Sequence, residues 1–403
     1  MTRSQLTGGL AAIALLSLFV VPRLVSTSAP ATPPSSTSTA QPTVPPVEAP
    51  AQPAEEPATL ELVFVLDTTG SMGGLIEGAK ETIWSVVNDF QSQKPSPKIK
   101  VGLVAYRDRG DAYVTQVQTL TDDLDGIYGA LAALRANGGG DGPESVVKGL
   151  VDAVREQPWT PSGEGRVFRS VFLVGDAPDK AYADEPTAEA VIAEARQANI
   201  YVNAIQCGTQ GSTGVEFERI AALGGGTFRA VAQDGNVQRV ATPMDRDLDR
   251  LERELSGTAL PWGTRDEKVA VQDKLSTSGS ASMSTKASRL SVLAKGGSKK
   301  VVTSRGKGDL LDDLDAGKVD LSALSSDELP DRFASLKLEA VKEEVVQTRA
   351  ERARIQAEID TLVAQRDAWL AEDRAKRKDA EASYDEEVVK GTLDKLVSLG
   401  YIE

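Results

Sequence analysis

The chain contains no histidine, and that absence removes much chemistry at once. Ser-His-Asp and Cys-His nucleophile systems need an imidazole to move a proton, so they are excluded, as are histidine general bases and imidazole-held zinc. Any metal must be held by oxygen, which points to Mg2+, Ca2+ or Mn2+. Only one cysteine is present, so no internal disulfide can form. Cys207 closes the apolar run Ile200–Cys207 and reads as a buried strand end, not a reactive thiol. Positive charge is short as well: 45 Lys and Arg face 59 Asp and Glu, a net charge of −14. A nucleic-acid partner, which needs a basic face, is not expected. No Gly-x-x-x-x-Gly-Lys phosphate loop occurs, and Gly70-Ser71-Met72-Gly73 is no nucleophile elbow. Asp312-Asp313-Leu314-Asp315 lacks the spacing of an EF-hand.

What is present divides the 403 residues into several units. After Arg3 comes an apolar stretch, Gly9–Val21, shorter than the roughly 20 residues of a membrane span. It reads as a signal-peptide core or, with Leu6 and Thr7, as an uncleaved anchor. Residues 1–25 are therefore expected in, or processed at, the membrane. The rest is expected outside the cytoplasm, in the periplasm or at the cell surface. Residues 26–58 are rich in Ala, Pro, Ser and Thr, a composition that buries no core and serves as an extended spacer.

From residue 59 to 257 strands alternate with helices. Continuous apolar runs at Leu60–Leu66, Val101–Tyr106, Val171–Val174 and Ile200–Ile205 are apolar on both faces, as central strands of a mostly parallel sheet are. Tyr113–Leu120 alternates like an edge strand, and Gly226–Ala232 reads as a last strand. Helical stretches separate them, so the expected fold class is α/β, a doubly wound sheet with helices on both faces. Ligands on such sheets bind outside the carboxyl ends of the strands. Residues 258–325, with Ser, Gly and Lys runs such as Ser276–Ser284, are expected to be a low-complexity linker. Residues 326–403 turn helical again. Leu338, Val341, Val345, Ile355, Ile359, Leu362 and Trp369 follow a heptad spacing, which Thr348, Arg352 and Arg366 interrupt. A coiled coil or helical hairpin is expected there, and with it a route to oligomers.

Three segments fall where strands end or helices begin: Asp67-Thr68-Thr69-Gly70-Ser71-Met72, Gly138–Glu144, and Gly175-Asp176-Ala177-Pro178. Each offers oxygen from a tight, glycine-bearing turn, and such donors suit a hard cation. Asp67, Thr69, Ser71, Asp141 and Asp176 are the candidate metal ligands. In order and kind the three loops resemble the metal-ion-dependent adhesion site (MIDAS) of the von Willebrand factor A family, a Rossmann-like fold. Asp67, Thr69 and Ser71 match its Asp-x-Ser/Thr-x-Ser motif, Asp141 matches its second loop in position, and Asp176 matches the aspartate after the fourth strand. The resemblance spans about residues 58–258. The wording of Asp67–Met72, Tyr106-Arg107-Asp108, Gly138–Glu144 and Gly175–Pro178 is most similar to the hemicentin-like and alpha-kinase-associated branch, though nothing resembles a kinase.

One departure from the family concerns charge. Adhesion members usually place threonine where Asp141 stands. If Asp141 coordinates directly, three carboxylates would hold the metal more tightly and weaken its pull on an acidic ligand; Asp141 through a bridging water is the alternative. Asp108, ending another strand on the same edge, reads as a supporting group, a solvated carboxylate or a partner of Arg107. Arg109-Gly110-Asp111 reads as loop structure, not as an adhesion tripeptide. The resemblance implies a non-enzymatic protein that binds a protein partner through a divalent cation, the partner offering an acidic group. Two rival readings are metal-dependent hydrolysis and an envelope spacer acting through its coiled coil.

Overall fold

The protein is described here by a computed structural model covering residues 57–140, 142–233, 240–295, 308–376 and 384–402. The expected membrane segment at 1–25, nearly all of the 26–58 spacer, and Asp141 lie outside the described residues. Six strands form one sheet: β1 (Thr59–Asp67), β2 (Lys98–Tyr106), β3 (Thr115–Thr121), β4 (Val167–Gly175), β5 (Ile200–Cys207) and β6 (Gly225–Val231). Their order is β3-β2-β1-β4-β5-β6, and all neighbours are parallel except the antiparallel β2–β3 pair at one edge.

Alternation along β1 explains the two layers. Leu60, Leu62 and Leu66 enter one apolar core, while Val63 and Val65 enter the other. The first core is covered by α1 (Gly73–Gln91) and α2 (Leu124–Ala133), the second by α3 (Val146–Arg155), α4 (Ala188–Gln197) and α5 (Gly211–Gly224). The expected doubly wound α/β fold is therefore the fold observed. The connection from β1 runs over one face to β2, and β4 joins β1 on its other side after α3 on the opposite face. Outside the carboxyl ends of β1 and β4 the winding reverses, which opens a crevice there.

The expectation of a low-complexity linker at 258–325 is corrected. α6 (Asp245–Gly257) is followed by α7 (Arg265–Gly279) and α8 (Met283–Lys295), then by the short α9 (Leu310–Asp315). A capping box starts α7: Thr264 accepts from the Glu267 amide and the Glu267 carboxylate accepts from Thr264. The Ser- and Lys-rich sequence misleads because α8 buries polar side chains, among them Thr285, Ser288, Arg289 and Ser291. Only the 296–307 part of that stretch lies outside the described residues.

The heptad segment forms one helix, α10 (Leu338–Lys376). Its apolar face meets α6 and α8 in a core of Leu248, Leu251, Leu290, Ile355 and Ile359. Thr348, Arg352 and Arg366, which interrupt the heptads, are buried on that same face. The helix thus packs against its own chain. α11 (Tyr384–Ser398) returns to the sheet, where Leu396 and Ile402 join the core that includes Phe168. Among the described residues no helix is long and apolar enough to cross a membrane.

Candidate functional site

β1 is buried except at Thr59 and Phe64, which are partly exposed, and its last residue, Asp67, is delivered fully buried to the rim of the crevice. The loop then turns back on that carboxylate. Asp67 Oδ1 accepts from the Thr69 amide at 2.8 Å and from Thr69 Oγ1 at 2.7 Å, and Thr69 Oγ1 lies 3.5 Å from Ser71 Oγ. Asp67 Oδ2, also buried, has no hydrogen-bond partner among the described residues. Burial raises the Asp67 pKa to about 7, the Thr69 bonds and the Asp176 backbone opposing the shift and the Asp176 charge adding to it. A carboxylate with one oxygen occupied and the other desolvated and unpartnered is what a hard cation would relieve.

The glycine-rich loop is stitched directly above. Gly70 N–H donates to Gly138 O at 3.2 Å, and Asn137 N–H to Thr68 O at 3.1 Å. Gly138 and Gly139 take φ values of +79° and +73°, a left-handed turn that side chains resist. A Cβ on Gly139 would stand 3.2 Å from Thr69 Cβ and 3.0 Å from Glu144 Oε1, so the loop lies close against both. Across the crevice Asp176 follows β4, and its Oδ2 accepts from Gln233 Nε2 at 2.6 Å. A side chain at Gly175 would overlap Tyr106 Oη. The Tyr106 hydroxyl is itself buried without a hydrogen-bond partner among the described residues. Burial, with Asp67, Asp176 and Glu144 nearby, pushes its pKa well above the usual phenol value.

The structure therefore gathers Asp67, Thr69 and Ser71 in one loop and sets Asp176 across from them, while Asp141 lies outside the described residues. Among the described residues no group of three or more carboxylates or thiols converges closely enough to hold a metal. The donor set among them is two carboxylates with hydroxyls. Sequence reasoning missed Glu144 as a group of this rim. It is 3% exposed, and it bridges to the loop after β4 through Glu144 N–H to Pro178 O and Lys180 N–H to Glu144 O, both 2.9 Å. A carboxylate just before a helix looks like an N-terminal helix acid, and nothing in the sequence marks it as buried.

Asp108 is not a partner of Arg107. It accepts from Lys180 Nζ at 2.7 Å, Tyr182 Oη at 2.7 Å and Ser145 Oγ at 3.1 Å, tying the start of α3 to the loop after β4. The Arg109-Gly110-Asp111 tripeptide is structural. Arg109 pairs with Asp184 and Glu185, and Asp111 accepts from the Gly139 amide at 3.0 Å.

Residues 61–239 match the family model of the von Willebrand factor A domain. The chain is similar to von Willebrand factor A domain-containing protein 7 of Rattus norvegicus, with 37% identity over 97 residues, 24% of this chain and 10% of that protein. It is also similar to Alpha-protein kinase vwkA of Dictyostelium discoideum, with 29% identity over 121 residues, 30% of this chain and 18% of that one. It thus spans a small part of these relatives' length. Among solved structures, mussel byssus proximal thread matrix protein 1 with a zinc-occupied MIDAS motif matches at 22% identity and TM-score 0.34, over 44% of this chain and 42% of that one.

Proposed function

We propose that this chain, whose residues 61–239 form a von Willebrand factor A domain, binds a protein partner through a divalent cation held where β1 and β4 end. The observation that carries the reading is the buried, unpartnered Oδ2 of Asp67 at the point where the sheet winding reverses. Asp67, Thr69, Ser71 and Asp176 would hold the ion, with Asp141 reaching it from the glycine-rich loop directly or through water. The bound ion, Mg2+, Ca2+ or Mn2+, supplies a positive centre for an acidic group of the partner.

The chain's own residues prepare that site. Thr69 fixes the Asp67 carboxylate by occupying Oδ1, and Gln233 orients Asp176. Arg107 Nε–H donates to Thr68 O at 3.1 Å and so holds the loop in register. Nothing among these contacts presents a base separate from the proposed ligands, which favours binding over hydrolysis as the reading.

The proposed setting is outside the cytoplasm, supported by the apolar Gly9–Val21 stretch and the Pro-rich tract after it. Capture from an envelope extract on the tagged full chain tests both parts of the proposal. The expected result is a partner retained with Mg2+ or Ca2+, released by chelator and absent on the Asp67→Ala variant. Retention unaffected by chelator would overturn the cation bridge, and capture only from cytoplasmic extract would overturn the location.

A further inference from the structure

A cleft of about 260 Å3 opens between β2, β3 and the last turn of α2, on the flank of the domain. Leucine and alanine side chains form much of its wall, and Arg107, Arg135, Gln116 and Gln118 also line it. Arg107 is 5% exposed, yet all its hydrogen bonds go to neutral oxygens: Thr68 O at 3.1 Å, Thr68 Oγ1 at 3.3 Å and Arg135 O at 2.6 Å. Its Nη1 makes no hydrogen bond among the described residues. The guanidinium lies 4.3 Å from the Tyr113 ring centroid, a second neutral contact.

Arg135 repeats the pattern, donating only to Ala132 O and Leu134 O, both at 2.7 Å. Neither arginine pairs with a carboxylate among the described residues. Part of this charge is used by the helix. The carboxyl end of α2 presents about half a negative charge, which favours cations there. Lys80 also reaches Leu134 O, at 3.2 Å, but is paired with Glu77 at 2.7 Å. Two guanidiniums against a fractional helix charge leave a positive surplus, in a chain whose net charge is −14. Burying a cation without a counter-charge is costly.

We infer that this cleft is a binding site for an aliphatic carboxylate. The planar fork of Arg107 or Arg135 matches a carboxylate by paired N–H bonds. The Gln116 and Gln118 amides add neutral donors, and the leucine and alanine wall accommodates methylene groups. The site stands independently of the cation reading. It borders that loop all the same, because Arg107 contacts Thr68, the residue between Asp67 and Thr69.

Two sources share this chemistry, a free small dicarboxylate and a glutamate side chain of another protein. Calorimetric titration of the full chain with succinate, and separately with a short glutamate-rich peptide, distinguishes them. Saturable binding of either probe is expected, weakened about tenfold by Arg135→Gln. Arg135 is exposed, so this variant should fold as the parent does, which circular dichroism checks. Arg107→Lys, which keeps the charge and loses the fork, is expected to weaken binding too. Absence of binding by both probes, or an unchanged affinity in Arg135→Gln, would overturn the assignment.

Discussion

The sheet with its flanking helices and the layer of α6, α8 and α10 each bury a core, yet they are held by different forces. Around the sheet, burial is carried mainly by aliphatic and aromatic side chains such as Leu62, Phe172, Val191 and Ile205, with buried polar groups both at strand ends, such as Asp67 and Asp108, and within strands, such as Glu61 and Asn203. In the helical layer, buried arginines meet buried acids. Arg289 Nε reaches Asp125 Oδ1 at 2.7 Å, Arg366 Nε reaches Asp245 Oδ1 at 3.1 Å, and Arg352 Nη2 reaches Asp309 Oδ2 at 2.7 Å. Desolvating such pairs is expensive, so their net contribution to stability is small while the loss of one partner is severe. The apolar layer gains stability from burial; the charged layer gains a single register, because a shift would carry each arginine away from the acids that face it.

The largest test breaks one of these pairs. Arg289→Ala takes the cation away from buried Asp125 and Glu252 and is expected to lower unfolding stability by about 3–5 kcal/mol in a urea titration. Arg289→Met, which keeps most of the side-chain volume, is expected to lose nearly as much, which a purely packing role for Arg289 would not give.

Asp67 is a buried acid of the sheet layer that no cation faces among the described residues. Its folded pKa of about 7 lies above the unfolded value of 3.8. In metal-free protein its contribution is therefore fully present below the unfolded value and is lost as pH rises through about 7. Asp67→Asn is expected to stabilise the metal-free chain at pH 8 by on the order of 2–4 kcal/mol while removing cation uptake. Denaturation curves recorded with chelator at pH 5 and pH 8 would show the pH-dependent gap closing in the variant.

Leu396→Ala, at the point where α11 re-enters the core, should cost about 2 kcal/mol, because it leaves a cavity against the sheet. An unchanged denaturation midpoint would mean that α11 does not seat there. At the small end stands Arg354, whose bridges to Glu254, Glu351 and Glu358 all lie on the surface. Arg354→Ala is expected to leave the melting temperature unmoved.

The same division explains what the sequence discloses. β1, β4 and β5 announce themselves as largely apolar runs, broken by few polar residues such as Glu61 and Asn203, and the loops at Asp67 and Asp176 are legible because each follows such a run. α8 hides because its buried face is written in Thr285, Ser288, Arg289 and Ser291, which hydropathy counts as exposed. Arg352 and Arg366 look like faults in a coiled coil for that reason too, although each sits inward opposite an acid. Glu144 and Arg107 escape notice in the candidate site because they are tied down by contacts distant in sequence, with Pro178 and Lys180 and with Thr68 respectively.

The most direct measurement is calorimetric titration of the full chain with Mg2+, Ca2+ and Mn2+ at pH 8, beside Asp67→Asn. Uptake of one equivalent of at least one of these ions by the parent, and none by the variant, is the expected result. No uptake of any of the three by a folded parent chain would contradict the cation site and leave the fold standing.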